Sequence, residues 1–303
     1  MVYNVLVLVS TYNGEKYLSQ QLDSLLEQQG VDVSILARDD GSKDGTIAIL
    51  KDYSAKFPNL SFYQGENVGP CMSFFDLLTH AVGYDYYAFC DQDDVWDNDK
   101  LLSAIKLLSL QPDSIPVLYC SNLNVVDENL NFCRKAHKRS YNAKNRYSGL
   151  VDFYAVGCTE VFNQRAVDFT KSHIRQDCLM HDSWIFMICN FFGRVVYDSE
   201  AHINYRQHVH NVIGTNKNSI GELKARIERV ADRKVQPRLK NAQILIDEFE
   251  KELSKEDYRK ISNMANYKKS FLGWIKLLFD YGIRSHHIGS DIRYRLLLLL
   301  REI

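Results

Sequence analysis

Residues 86–96 read Tyr86-Tyr-Ala-Phe-Cys-Asp-Gln-Asp-Asp-Val-Trp96, five apolar residues running directly into three acids. An apolar run of that length, bounded by polar residues, predicts a strand buried on both faces, as in a parallel sheet covered by helices. The same form recurs upstream at Val5–Val9, Val33–Ala37 and Leu60–Tyr63. Between these runs lie segments of helical period near Glu15–Gln28, Asp44–Lys56, Pro70–Val82 and Asn98–Leu110, with Pro70 where a first helical turn accepts proline. Strand and helix therefore alternate up to about residue 110, which predicts βα units in a Rossmann-like, mostly parallel sheet. A second stretch, 111–219, mixes strand-like runs (Val117–Asn122, Tyr154–Phe162, Arg194–Tyr197) with one apolar helix, Ser183–Phe192. From residue 220 to 303 the pattern is helical hairpins rich in Lys, Arg and Leu.

Composition narrows the class. The chain has 303 residues, 46% hydrophobic and 25% charged, as expected of a globular protein rather than a disordered one. Its net charge of −1 argues against a nucleic-acid partner, which requires a basic footprint. The charge is unevenly spread: residues 220–303 carry 18 Lys+Arg against 12 Asp+Glu, and residues 1–219 carry 19 against 26. The seven cysteines are odd in number, widely spaced and free of any Cys-x-x-Cys pair, which fits a reducing compartment. No run approaches the ~18–20 apolar residues of a membrane span, and no basic leader precedes the first strand. The expectation is a cytoplasmic protein, either free or held at the inner face of the cell membrane.

In a doubly wound sheet, ligands bind beyond the carboxyl ends of the strands. Three of the four strand candidates end in polar clusters: Ser10-Thr-Tyr-Asn-Gly14, Arg38-Asp-Asp-Gly-Ser42 and Asp91-Gln-Asp-Asp94. Parallel topology brings them to one edge. Carboxylates gathered there repel one another, and a hard divalent cation, Mg2+ or Mn2+, relieves the repulsion while holding phosphate oxygens. Each cluster alone is also ordinary turn and cap composition; their conjunction favours a site. Neither Gly-x-x-x-x-Gly-Lys-Ser/Thr nor Gly-x-Gly-x-x-Gly is present, which removes the main support for ATPase and dinucleotide-oxidoreductase readings.

These residues carry a resemblance. Val5-Leu-Val-Leu-Val-Ser-Thr-Tyr-Asn-Gly14, Arg38-Asp-Asp-Gly-Ser-Lys-Asp-Gly-Thr46, Glu66-Asn-Val-Gly69 and Cys90-Asp-Gln-Asp-Asp-Val-Trp96 resemble, in order and spacing, the nucleotide-sugar half of the family 2 inverting glycosyltransferases. His181-Asp-Ser-Trp184 and Tyr205-Arg-Gln-His-Val-His-Asn211 are similar to the acceptor half of bacterial rhamnosyltransferase-like members. The resemblance spans about residues 3–214. It implies the glycosyltransferase type A fold over residues 1–219, with a nucleotide-sugar half (1–110), an acceptor half (111–219) and a C-terminal helical extension (220–303).

The resemblance also implies roles. Thr11, Tyr12 and Asn13 would meet the base and ribose, with Asp39 and Asp40 on the pyrimidine and Asn67 and Gly69 nearby. Asp91 would face the ribose, while Asp93, with Asp94, would hold Mg2+ or Mn2+. Arg206 and His208 would close on the metal or diphosphate, and Trp184 would contact substrate. Asp182 falls where the family has its catalytic base, although the acid that usually precedes the base is His181 here. Transfer of L-rhamnose from dTDP-L-rhamnose, or of a sugar from a UDP donor, to a surface polysaccharide or lipid-linked glycan is what the likeness implies. Independently of it, a single displacement needs one carboxylate to take the acceptor hydroxyl proton and something to stabilise the leaving diphosphate. Without the likeness, Asp182 reads equally as a cap for a helix opening at Ser183.

Two rival readings differ in class. A sugar-nucleotide nucleotidyltransferase would need a glycine- and lysine-rich triphosphate loop after the first strand, which Ser10–Gly14 lacks. A non-catalytic nucleotide-sugar-binding scaffold has no need of Asp93 and Asp182. In the tail, Lys268-Lys-Ser-Phe-Leu-Gly-Trp-Ile-Lys-Leu-Leu-Phe279 and Arg293-Tyr-Arg-Leu-Leu-Leu-Leu-Leu-Arg301 interleave basic with aromatic and leucine residues. That pattern fits peripheral contact with a membrane, or helix packing onto the chain or a second copy.

Overall fold

The computed structural model describes residues 2–137, 145–178, 180–208, 237–285 and 288–301. The chain divides into two compact units, Met1–Tyr141 with Ala155–His208, and Asn142–Tyr154 with Val209–Ile303. The boundary expected near residue 220, and His210, lie outside the described residues.

The first unit begins with β1 (Tyr3–Thr11), α1 (Leu18–Leu26), β2 (Val31–Asp39), α2 (Thr46–Lys56), β3 (Leu60–Gln64), α3 (Gly69–Thr79) and β4 (Tyr86–Cys90). Val5, Val7 and Val9 pack in one cluster with Leu18, Leu22 and Leu25 of α1 and Leu50 of α2. Leu6 and Leu8, on the opposite face of the strand, are equally buried. Burial on both faces, at ~1.5–3 kcal/mol per large apolar side chain, is why these runs are continuous rather than alternating. Pro70 is the second residue of α3, a position where its missing N–H breaks no intrahelical bond.

The unit continues with β5 (Val95–Trp96), α4 (Lys100–Leu108), β6 (Val117–Val126), β7 (Phe132–Lys135), β8 (Val161–Asn163), α5 (Gln164–Lys171), α6 (His181–Phe192) and β9 (Arg194–Arg206). The sheet runs β3-β2-β1-β4-β8-β6-β9-β5, with β7 beside β6. Its longest ladders, β1 with β2 and β6 with β9, are parallel, as are β1 with β4 and β2 with β3. The short β8 inserts antiparallel between β4 and β6.

Two expectations are corrected. Tyr154–Phe162 is not a continuous strand: Gly157–Thr159 forms a 3₁₀ turn, and only Val161–Asn163 joins the sheet. The run from Arg194 extends to Arg206, far past Tyr197, because β6 supplies a parallel partner through two register shifts.

In the second unit, a 3₁₀ turn at Arg146–Leu150 precedes α7 (Pro237–Phe249), α8 (Lys255–Ala265), α9 (Phe271–Leu278) and α10 (Ile288–Leu299). Ser254 caps α8 through the Asp257 N–H, and Asp257 in turn accepts from the Tyr147 hydroxyl at 2.7 Å and Arg146 at 3.2 Å. The Arg295 guanidinium donates to the carbonyls of Leu277, Leu278, Asp280 and Ile283 at 2.8–3.0 Å, closing the carbonyl end of α9.

Candidate active site

Parallel register places the ends of β1, β2 and β4 side by side, Thr11 against Asp39 and Val9 against Cys90. The loop after β1 is stitched to the loop after β2. Asn13 N–H donates to Ser42 Oγ, Lys43 N–H to Asn13 Oδ1, and Gly14 N–H to Thr46 Oγ1. Gln92, from the acidic segment, joins the same loop, accepting from Tyr12 N–H at 2.8 Å and donating to Tyr12 O at 2.9 Å. A Cβ at Gly14 would lie 2.2 Å from Gln92 Oε1, so glycine is what admits the Gln92 amide. Tyr12 keeps its ring exposed at this lip.

Asp39 and Asp40 are fully engaged. Asp39 accepts from Thr11 Oγ1, Ser42 Oγ and the N–H groups of Gly41 and Ser42. Asp40 accepts from Arg38 Nη1, Val68 N–H at 3.0 Å and Gly69 N–H at 2.9 Å. Gly69 takes φ +81°, the left-handed conformation that turns its amide toward Asp40. Asn67 is exposed on the same loop. Arg38 is buried and also holds Asp76, Ser73 and the Glu66 carbonyl. Sequence reading gave Arg38 no role, although a charge at the end of a buried apolar strand is itself a signal.

The acids after β4 are placed differently. Asp94 is fully buried, with Oδ1 on the Arg206 N–H at 3.0 Å and the Cys158 thiol, a weak donor, as its other neighbour. Asp91, Asp94 and Cys158 each bring one ligand atom within 4.8 Å of the others. Burial, and then Asp93 and Asp182, push the Asp91 carboxyl up to about 7; burial, and then Asp93 and Asp91, hold Asp94 well above the usual carboxylate range. Asp93 Oδ2 lies 2.7 Å from His208 Nε2, and the His208 ring stacks on Tyr17 at 5.0 Å. The expected ligands are thus split: Asp94 gathers with Asp91 and Cys158, while Asp93 pairs with His208, and among the described residues these two sets do not form one cluster. The carboxylate oxygens and the imidazole nitrogen are of the types that suit Mg2+ or Mn2+.

Arg206 is bound inward. It donates to the Asp93, Glu128 and Gln20 oxygens while its guanidinium lies 4.5 Å over the Tyr17 ring, so it holds the acidic segment against β9. Lys100, buried 3.4 Å over the Trp96 ring, is another cation that sequence reading passed over. Cys158 was equally unmarked, since nothing in the sequence ties it to residues more than 60 positions away.

Asp182 is in the first turn of α6, whose N-cap is Met180, so it is not the cap of a helix opening at Ser183. Its oxygens accept from Ser183 N–H at 2.6 Å and Gly157 N–H at 3.2 Å. Burial pushes its carboxyl up to about 6, the backbone donors opposing the rise. Its charge is the smallest of the influences that raise Asp91. His181 is stacked on Phe74 at 3.9 Å and set edge-on to Phe89 at 4.7 Å, and burial lowers its pKa to about 3, so it is neutral. An aromatic box suits that imidazole where a carboxylate would be stranded. Trp184 is buried, with its indole N–H on the His173 carbonyl at 2.9 Å.

The model of glycosyl transferase family 2 matches residues 6–169. The dTDP-rhamnosyl transferase RfbG of Shigella flexneri is 29% identical over 224 residues, 69% of this chain and 74% of that one. An uncharacterized glycosyltransferase of Rickettsia prowazekii is 25% identical over 224 residues, 72% and 68% of the two chains. Among solved structures, S. aureus TarS 1–349 in complex with UDP-GlcNAc aligns with TM-score 0.58 at 18% identity, covering 98% of this chain and 91% of TarS 1–349. The mannosyltransferase PcManGT from Pyrobaculum calidifontis, in complex with GDP-Man and Mn2+, aligns with TM-score 0.54 at 16% identity, covering 99% and 81%. The fold is that of these neighbours, the glycosyltransferase type A fold with C-terminal helices.

Proposed function

This chain belongs to glycosyl transferase family 2, and from that premise we propose that it is an inverting, cation-dependent enzyme moving L-rhamnose from dTDP-L-rhamnose onto a bacterial surface polysaccharide or its lipid-linked precursor, working on the cytoplasmic side. The observation that carries the reaction type is Asp182: a carboxyl buried in the first turn of α6, held by two backbone donors and pushed by burial up to about 6. At pH 7 such a group is ionised yet basic enough to accept a proton from an acceptor hydroxyl as that oxygen attacks the anomeric carbon. The sugar rests on the 29% identity to a dTDP-rhamnosyl transferase.

In this reading Asp93 and His208, with Asp94, would hold Mg2+ or Mn2+, which when bound would stabilise negative charge on a leaving diphosphate. Asp91 meets the ribose. Tyr12 and Asn67 are exposed around the nucleotide, and Asp39 and Asp40 keep the loops beneath it in shape. Arg206 fixes the acidic segment, so its contribution is to positioning.

A thermal-shift panel of dTDP-rhamnose, UDP-GlcNAc and GDP-mannose with Mn2+ tests the donor. A ligand at 100 times its dissociation constant stabilises by about 2.7 kcal/mol. Stabilisation by dTDP-rhamnose above the other two is expected. Preference for a different nucleotide would overturn the sugar assignment, and donor binding without transfer or hydrolysis under any condition would favour a scaffold.

A further inference from the structure

The second unit presents one surface that the proposed chemistry does not use. Trp274 and Leu277 of α9 pack toward Tyr294 and Leu298 of α10, with the Trp274 N–H on the Leu298 carbonyl at 2.7 Å. That packing turns the other faces outward. Ile288, Ile292, Leu296, Leu299 and Leu300 follow one another at helical spacing along α10 and are 49–75% exposed. Of the five consecutive leucines, only Leu298 is fully buried. Phe271, Leu272 and Phe279 of α9 and its end, with Tyr281, add aromatic and aliphatic surface at 64–71% exposure.

Among the described residues of 268–301 the exposed charges are of one sign. Lys268, Lys269, Lys276, Arg284, Arg293 and Arg301 are all exposed. The two acids of the same stretch are half-buried and committed locally: Asp280 accepts from Gly282 N–H, and Asp291 accepts from Ser285 N–H and faces Arg295 at 3.8 Å. An apolar strip edged by cations, with no exposed acid among the described residues of 268–301, matches the acyl and anionic headgroup layers of a lipid surface. Like charges disfavour the other occupants. A second copy would bring the same six cations face to face. Residues 209–236 carry six Lys+Arg against three Asp+Glu and are themselves basic.

We propose that the exposed faces of α9 and α10 form a peripheral docking surface for an anionic lipid bilayer, with Phe271, Leu272, Phe279, Leu296 and Leu300 entering the interface and the surrounding Lys and Arg side chains on the headgroups. No helix among the described residues is long and apolar enough to cross a membrane, so the attachment is to one leaflet. The surface is independent of the donor identity argued above, and its failure would leave that reading intact.

Co-sedimentation of the full chain with vesicles of phosphatidylglycerol and phosphatidylethanolamine tests it, against vesicles of phosphatidylcholine alone. Pelleting with the anionic vesicles at low salt is expected, falling as salt rises because screening shortens from roughly 10 Å at 0.1 M to roughly 3 Å at 1 M. Leu296→Ser with Leu300→Ser changes only exposed side chains, and Lys276→Glu with Arg293→Glu reverses exposed charge. Each pair should cut binding at least about tenfold while leaving nucleotide-sugar binding unchanged. Three results would overturn the proposal: no pelleting with anionic vesicles at low salt, equal pelleting with phosphatidylcholine, or a lipid-free oligomer that Leu296→Ser with Leu300→Ser dissociates.

Discussion

Two groups of acids stand at the same sheet edge and are treated in opposite ways. Asp39 and Asp40, after β2, accept seven hydrogen bonds between them, mostly from backbone N–H groups, hydroxyls and Arg38. Asp91, Asp94 and Asp182, after β4 and at the start of α6, have few donors and raised pKa values. A carboxylate whose lone pairs are occupied by the protein shapes a loop and has little capacity left for a ligand. One left short of donors in a buried place is costly until a cation, a sugar hydroxyl or a proton arrives. The first group shapes the loops in this structure, and the second is where the chemistry is expected.

The sharpest way to break this contrast is Asp93→Ala. Metal-dependent donor binding should be lost altogether, read by calorimetry with dTDP and Mn2+; unchanged affinity in a folded variant would remove Asp93 from the cation. Next in size is Asp182→Asn, for which transfer should fall about 10²–10⁴-fold while donor affinity persists. Near-normal turnover would place the base elsewhere. On the scaffold side, Arg38→Met strands Asp40 without its charged partner, and the unfolding free energy from urea titration should drop by ~3–5 kcal/mol. A loss confined to activity would mean Arg38 belongs with the chemistry instead.

The smallest effect is on pH. With Asp182 at about 6, the transfer rate should fall about tenfold per unit below pH 6 and level off above it. Stability runs the other way. Because folding raises this carboxyl, its stabilising contribution is complete below its unfolded pKa near 4 and is lost as pH rises through about 6. Asp182→Asn should therefore be about 1–3 kcal/mol more stable than the parent at pH 8, and indistinguishable from it near pH 4. Equal stability at pH 8 would mean that folding does not perturb the carboxyl.

Much of this was legible in the sequence, because a buried parallel strand writes itself as an apolar run and its functional end as an abrupt change to polar residues. Val5–Val9 into Ser10–Gly14 and Tyr86–Cys90 into Asp91–Asp94 are such junctions. What could not be read was which acid would be satisfied by which donor. The Arg38–Asp40–Gly69 linkage depends on a glycine amide nearly 30 residues from its acceptor, and Cys158 reaches Asp94 only through the insertion of β8. The turn at Gly157–Thr159 did have a signal, the glycine itself, but the apolar residues around it read as strand. Trp184 was ambiguous for another reason: α6 is apolar nearly all round, so its sequence has no polar face by which to orient the ring.

The Gln92 clasp on Tyr12 has a thermodynamic corollary. Its two hydrogen bonds, with those from Asn13 and Gly14, tie the backbone of both loops together through groups of the chain alone. The conformational entropy of ordering those residues, roughly 1–2 kcal/mol each, is therefore lost during folding and not again when a donor binds. A ligand meeting this lip would find its backbone already ordered by the chain's own hydrogen bonds.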